Sequence, residues 1–330
     1  MSYPVESPII QTISDQSIIG IFEDVPLADK NWFQTGGSAR YYAEPSSGEQ
    51  LGQVLNYAKD HNLSIFVLGQ GANILISDDG FDGLVIRPYM KHITHKADAK
   101  SNVLVTAGAG VTINDLIEYC LSHNISGLEE FSGIPGTVGG SVYINLHYFE
   151  FLLSHFIVHA EVLEKATGKI YSVDNHWFNF GYNQSTLHQE DHYLITATFA
   201  LKQITDLQTA YAQGRRTEII RHRVKRYPAT HTCGSFFRNF HDNEVALMSN
   251  GKKMIFVAYY LDKIGVKGNL RVGDAIVSYQ HANMIVNCGS ATSADIIQLV
   301  RTMQELVKKE FSIIPQPECR LIGFTEYPLL

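Results

Sequence analysis

Two glycine-rich stretches carry the residue types that hold phosphates. Gly133-Ile134-Pro135-Gly136-Thr137-Val138-Gly139-Gly140 packs four glycines and a proline into eight residues. Glycine brings main-chain N–H groups up to a ligand with no Cβ in the way, and proline fixes one bend. Gly69-Gln70-Gly71-Ala72-Asn73 lies between two apolar runs. Together they read as a cradle for a large phosphate-bearing cofactor; singly, each reads equally as a tight turn. A dinucleotide fingerprint needs a third glycine and a following helix. Gly69-x-Gly71 has neither, because Ile74-Leu75-Ile76 is apolar and branched like a strand. The phosphates would then sit on N–H groups of turns between strands. One basic cluster, Arg215, Arg216, Arg221, Arg223, Lys225 and Arg226, reads either as a solvated helix face or as a contact for a small ligand's phosphates.

The elements that must position these loops follow from periodicity. Leu51, Val54, Leu55 and Ala58 predict an amphipathic helix over 50–61, and Leu116, Ile117, Cys120 and Leu121 another over 112–123, capped at Thr112. Further helices are predicted over 206–223, ended by Tyr227-Pro228, and over 294–311, capped by Thr292 or Ser293. Strands are predicted at 40–43, 64–68, 74–77, 84–87, 102–107, 193–202, 282–287 and 318–324. A hairpin is expected over 157–164 and 170–173, turning at Thr167-Gly168. Residues 1–30 read as a loose lead-in with a short helix, and the character of the chain shifts near 203. The fold class is α+β.

Composition narrows the function. The chain has 330 residues, 45% hydrophobic and 18% charged, so it is globular and long enough for two or three cores. Its net charge of −7 argues against nucleic acid as a bulk partner. Cys120, Cys233, Cys288 and Cys319 are far apart with no C-x-x-C pair, so no metal site or disulfide framework is indicated. No basic-then-apolar leader opens the chain, and no apolar run is long enough to span a bilayer. The expectation is a soluble cytoplasmic protein that is a monomer and has no membrane partner.

Five blocks then resemble one family. They are Val67 to Ile86, Gly127 to Gly140, Cys233-Gly234-Ser235-Phe236-Phe237-Arg238-Asn239, His281-Ala282-Asn283-Met284-Ile285-Val286-Asn287 and Glu318-Cys319-Arg320-Leu321-Ile322-Gly323. In this order they resemble the UDP-N-acetylenolpyruvoylglucosamine reductases. The resemblance covers residues 31–324. It implies a vanillyl-alcohol-oxidase/PCMH-type FAD-binding domain over 31–202, made of two subdomains with a break near 90–100. A C-terminal substrate domain would follow over 203–330. It implies FAD and NADPH as cofactors, a UDP-sugar as substrate, and reduction of an enolpyruvyl ether for peptidoglycan.

The resemblance also implies roles. Ser235 would protonate the carbon alpha to the substrate carboxylate, and Glu318 would steady the enolate. Without the resemblance they read as a turn serine and a surface acid. Gly69, Gln70, Gly71, Ala72, Asn73 and Ile74, with Gly133, Ile134, Pro135, Gly136, Thr137, Gly139 and Gly140, would bind FAD. Tyr182, Arg238, Asn239, His281 and Asn283 would face the substrate. Cys233 reads as a small packed residue. The pattern breaks in three places. The family's Phe-Gly-Tyr-Arg-x-Ser is here Phe180-Gly181-Tyr182-Asn183-Gln184-Ser185, so Asn183 stands at the catalytic arginine position. Small residues after the glycine stretch have become Leu146-His147-Tyr148-Phe149-Glu150, and Gln-Pro has become Tyr227-Pro228. Either another cation (His147, Arg226 or Arg238) replaces the arginine, or the chain is a paralogue with a different substrate or a binding role. A third, generic reading is a non-enzymatic scaffold.

Overall fold

The computed structural model describes residues 19–98 and 102–330. In chain order the elements are β1 (Phe22–Pro26), β2 (Ser38–Ala43), α1 (Gly48–Asp60), β3 (Ile65–Val67), β4 (Ile74–Ile76), β5 (Phe81–Ile86), β6 (Ile93–Ala97), β7 (Asn102–Gly108), α2 (Ile113–Ser122), β8 (Ile125–Ser126) and α3 (Val138–Tyr143). Then come β9 (His147–Tyr148), β10 (Phe151–Leu152), β11 (Ile157–Glu164), β12 (Ile170–Asp174), β13 (His192–Gln203), α4 (Asp206–Arg226), β14 (Met248–Ser249), β15 (Lys252–Lys253) and α5 (Val257–Lys263). The chain closes with β16 (Arg271–Val272), β17 (Ala275–Val277), β18 (Ile285–Asn287), α6 (Ser293–Phe311) and β19 (Arg320–Ile322). Short connecting 3₁₀ turns complete it.

Two compact units result, and neither is one continuous piece of chain. The first takes residues 41–70 and 83–221 with the described stretch ending at Glu23. The second takes 24–40, 71–82 and 222–330. The first unit is built on the sheet order β12-β11-β13-β7-β6, with β8 on the end of β13. Its antiparallel register sets Ala197 opposite Ala107 and Ala160 opposite Ala197. One core, with Val105, Phe131, Val142 and Phe199, lies under this sheet. A second, with Leu51, Val54, Leu84 and Ile86, is closed by α1. Ser47 caps α1 by accepting from the Gln50 N–H, and Thr112 caps α2 by accepting from Asp115 N–H.

The second unit centres on α6. Its Thr292 cap forms a reciprocal box with Asp295, and Ile296, Val300, Met303 and Val307 all face inward. Each such side chain stabilises the fold by roughly 1.5–3 kcal/mol on burial. The pairing that explains the split chain is β4 with β19, parallel, Ile74 opposite Arg320 and Ile76 opposite Ile322.

Three local expectations change. The lead-in is not loose throughout: Phe22–Pro26 is a strand, and Ile19, Ile21 and Leu27 are buried, so apolar anchoring orders it from residue 19. Of the short helix expected in it, the described part shows a 3₁₀ turn at Ala28–Lys30, and residues 1–18 lie outside the described residues. The stretch 133–140 is not one open loop, because Thr137 accepts from Gly140 N–H and starts α3 through Gly139 and Gly140. The strand expected from 282 begins at 285, because the Met284 N–H turns back to the His281 carbonyl.

Candidate active site

In the first unit the glycine stretch is pinned before α3 begins. The Ile113 N–H reaches the Gly136 carbonyl at 2.9 Å, and the Val138 and Gly139 N–H groups reach Val111 and Ala109 carbonyls at 2.8 and 2.9 Å. Ile134 packs on the core and its N–H reaches the Phe131 carbonyl, while Pro135 is half-buried beside it. Gly136 donates to Gln70 Oε1 at 2.6 Å. A Cβ on Gly69 would come within 2.8 Å of Thr137 Oγ1. So Gly69, Gln70, Gly136 and Thr137 are brought together. The glycine at 69 answers to protein packing first, whatever else it admits.

The same unit holds the turn that carries Tyr182 and Asn183. The Gly181 N–H closes it on the Gln184 carbonyl at 3.0 Å. Asn183 sits at φ 54°, a left-handed conformation that asparagine tolerates better than most residues. Its Oδ1 is buried without a hydrogen-bond partner among the described residues. Two anchors hold the turn: Asn145 Nδ2 donates to the Gly181 carbonyl at 3.1 Å, and Ser185 Oγ to the Tyr143 carbonyl at 2.8 Å. The His147 ring lies 4.9 Å from the Tyr182 ring, and burial pushes the His147 pKa down. Tyr182 is 53% exposed.

The basic cluster divides. Arg215 is bidentate on Glu130, Arg216 meets Glu118 and Asn114, and Arg221 meets Glu218. These three arginines form an ion-paired helix face, the bland alternative for this stretch.

In the second unit the serine block is fastened through its main chain. Gly234 at φ 79° reverses the chain between Cys233 and Ser235, at a position where a Cβ would be strained. Ser235 then bridges Met284, and Phe237 bridges Pro317, both antiparallel. The Phe236 N–H reaches the Asn283 carbonyl at 2.8 Å, and the Phe236 carbonyl accepts from Glu318 and Cys319 N–H groups at 2.8 and 3.2 Å. Glu318 is therefore bonded to the residue that follows Ser235. The Ser235 hydroxyl is half-buried and has no hydrogen bond to a described residue. Asn73 joins the same corner: its Nδ2 donates to the Glu318 carbonyl at 3.5 Å, and its carbonyl accepts from Arg320 N–H at 3.1 Å. Gly71 packs its Cα face on Asn31, where a Cβ would lie 2.6 Å from Asn31 Cα. Ala72 is half-buried, and Ile74 begins β4.

The residues expected to face substrate are all engaged within the fold. Arg238 holds Glu244 at 2.7 Å through both guanidinium nitrogens, and these bonds lead the causes that hold the Glu244 carboxyl down at about 2. Asn239 Oδ1 accepts from Val257 N–H at 3.3 Å. His281 meets the Asn283 N–H at 3.3 Å, and burial, its largest cause, pushes its pKa down. Asn283 clamps Phe237, with Oδ1 on its N–H at 3.0 Å and Nδ2 on its carbonyl at 2.7 Å. The Cys319 N–H reaches the Phe236 carbonyl, three residues on from Cys233, and burial pushes the Cys319 thiol well up. Sequence reasoning also missed Glu244 and Asn145. An asparagine just past a helix end is the signal that marks Asn145, at φ 49°.

A family profile described as an FAD binding domain matches residues 39–174, and one described as the C-terminal domain of UDP-N-acetylenolpyruvoylglucosamine reductase matches 226–322. A UDP-N-acetylenolpyruvoylglucosamine reductase of Caldicellulosiruptor bescii is 31% identical over 312 residues, covering 94% of this chain and 93% of its own. This chain belongs to the UDP-N-acetylenolpyruvoylglucosamine reductase family. A reductase of that name from Lactobacillus johnsonii is 32% identical, covering 92% of this chain and 95% of its own. The crystal structure of the Thermus caldophilus reductase superposes with a TM-score of 0.73 at 27% identity, covering 92% of this chain and 99% of its own. The α+β reading, with an FAD-binding domain followed by the reductase C-terminal domain, holds. Among the described residues no helix is long and apolar enough to cross a membrane.

Proposed function

We propose that this chain reduces the enolpyruvyl ether of UDP-N-acetylglucosamine to UDP-N-acetylmuramate with NADPH, as a monomeric cytoplasmic enzyme of peptidoglycan precursor synthesis. The observation that carries the reading is the serine block: Glu318 is hydrogen-bonded to Phe236, the residue after Ser235, in a segment whose main chain is fastened at Phe236, Phe237 and Arg238. Residues 31–202 would serve the flavin and 203–330 the substrate.

The residues present fit FAD. The N–H groups of Gly69 and Gln70, and those of Gly71, Ala72 and Asn73, donate to no described residue, which suits them to diphosphate oxygens. Gly133 and Gly140 are exposed, so Gly133 to Gly140 can admit a flat ring against the backbone. When bound, the flavin supplies the hydride that reaches the substrate's methylene carbon. The protein's own residues do the rest. Ser235 Oγ gives its proton to the carbon alpha to the carboxylate. Glu318, sharing a proton, steadies the enolate charge until that proton arrives. Arg238 and Asn239 would orient the diphosphate or sugar, with Tyr182 and His281 alongside.

Asn183 is the weak point. It can donate one neutral hydrogen bond where an arginine would offer two charged ones. Losing such a contact costs on the order of 2–4 kcal/mol in the transition state, roughly 10²–10³ in rate. The cations available to stand in are constrained. Arg238 is paired with Glu244, the Arg226 guanidinium lies 5.6 Å from the Tyr227 ring, and His147 has its pKa pushed down. These observations favour a second reading, a flavoprotein of this family with a different substrate. Anaerobic mixing of NADPH-reduced enzyme with UDP-N-acetylglucosamine enolpyruvate tests the choice. Substrate-dependent flavin reoxidation is expected, and its absence sinks the reductase reading.

A further inference from the structure

Asn283 is 4% exposed, and both polar atoms of its amide are turned on the main chain of one residue, Phe237. Its Oδ1 accepts from Phe237 N–H at 3.0 Å, its Nδ2 donates to the Phe237 carbonyl at 2.7 Å, and its own carbonyl accepts from Phe236 N–H at 2.8 Å. The residue after it, Met284, bridges Ser235. Phe236 and Phe237 are 0% and 1% exposed, so no solvent competes for these bonds. Both polar atoms of the Asn283 side chain are thereby engaged within the fold. We infer that Asn283 is a positioning residue: it fixes the main chain of Phe236–Phe237 and thereby sets where the Ser235 hydroxyl points. The role differs from the substrate contact that the resemblance suggests, and it rests on the reading of Ser235 as proton donor.

The chemistry makes that role consequential. A serine hydroxyl is a weak acid and works only when held within hydrogen-bond reach of the carbon it protonates. A displacement of about 1 Å in such a group can cost about 10²-fold in rate. Among the described residues the Ser235 side chain has no hydrogen-bond partner, so its aim is inherited from the backbone on either side.

The test is Asn283→Asp in the FAD-loaded full chain, compared with wild type and with Ser235→Ala. Aspartate keeps the acceptor for Phe237 N–H but, when ionised, sets an oxygen against the Phe237 carbonyl. Burial raises the introduced carboxyl's pKa, and once protonated it restores the donor. The expected result at pH 8 is a kcat about 30-fold below wild type with KM within about twofold, in line with a misaimed acid. The deficit should close as pH falls towards 6. His281 and Glu318 are common to both proteins, so the readout is the ratio to wild type at each pH. A merely structural role would lower the melting temperature and flavin content but leave kcat per bound flavin unchanged, and that result overturns the inference. If the variant loses FAD at pH 8, it is compared at pH 6 with Asn283→Leu, which lacks both bonds. N283D active and N283L inactive supports the role, and equal rates overturn it. Undiminished turnover by Ser235→Ala would instead sink the serine reading itself. Loss in S235A with unchanged kcat in N283D sinks only the positioning role.

Discussion

The serine block and the Tyr182–Asn183 turn are built on opposite plans. Around Ser235, the main chain of Phe236 and Phe237 is hydrogen-bonded on both sides, from Asn283 and from Glu318–Cys319. The turn at 181–184 closes on itself, is anchored by hydrogen bonds of Asn145 and Ser185, and sets the Tyr182 ring against His147. A function that depends on where a backbone points can survive extensive change around it. A function that depends on one long charged side chain is lost by a single substitution, and the turn that carried it folds as before. The resemblance read from the sequence is intact in the first region and departs in the second, at Asn183.

The largest test of this contrast is Ser235→Ala. General acid groups contribute about 10²–10⁴-fold, so kcat should fall by about 10³ with KM little changed, measured by steady-state turnover. Retention of rate would mean that the fastened block is scaffold only. Next is Gly69→Ala, whose new Cβ would lie 2.8 Å from Thr137 Oγ1, the atom that caps α3. Titration of apoprotein with FAD should show affinity weaker by about tenfold, the equivalent of about 1.4 kcal/mol. Unchanged affinity would separate this contact from the cofactor.

Asn183→Arg probes the other region. Arginine in a left-handed conformation costs roughly 1–2 kcal/mol, so thermal unfolding should show a small loss of stability. For a working reductase kcat/KM should change by less than about threefold. A gain of tenfold or more would show that the turn limits the site. The smallest effect is expected from Glu244→Gln. The Arg238 hydrogen bonds hold the Glu244 carboxyl at about 2, below its value of 4.5 when free. Stability from a depressed carboxyl is present above the free value and lost as pH falls through the folded one. The gap between variant and wild type, about 1 kcal/mol for a half-exposed pair, should be present at pH 7 and vanish between pH 4.5 and about 2 in denaturant titrations.

Helices announce themselves locally: α1, α2 and α6 were legible from their apolar stripes, and α2 and α6 with their caps, because Thr112 and Thr292 lie next to the stripe they start; the Ser47 cap of α1 was not read. The hairpin of β11 and β12 was legible for the same reason. What sequence could not show was set by partners far along the chain. Phe22–Pro26 lacks any strong alternation, and α3 begins on glycines that no propensity scale favours. The site residues were legible as motifs, but their roles were not. Asn283 reads as a polar residue available to a ligand until the Phe237 peptide is seen against it. Cys233 and Cys319 read as unrelated until Phe236 brings their segments together.

The parallel pairing of β4 with β19 has a consequence for how the protein is made. Asn73 and Glu318, at the start of that pairing, are 245 residues apart in sequence. Ile74, Leu75 and Ile76, all buried in the finished fold, leave the ribosome long before Arg320–Ile322 exist to cover their edge. Contacts of such separation form late, because the loop they close must be ordered first. The nascent chain therefore carries an apolar strand with an open edge through most of its synthesis, the kind of surface that chaperones protect. The second unit can be completed only when the last strand arrives, so this corner of the molecule, the one holding Ser235 and Glu318, is assembled last.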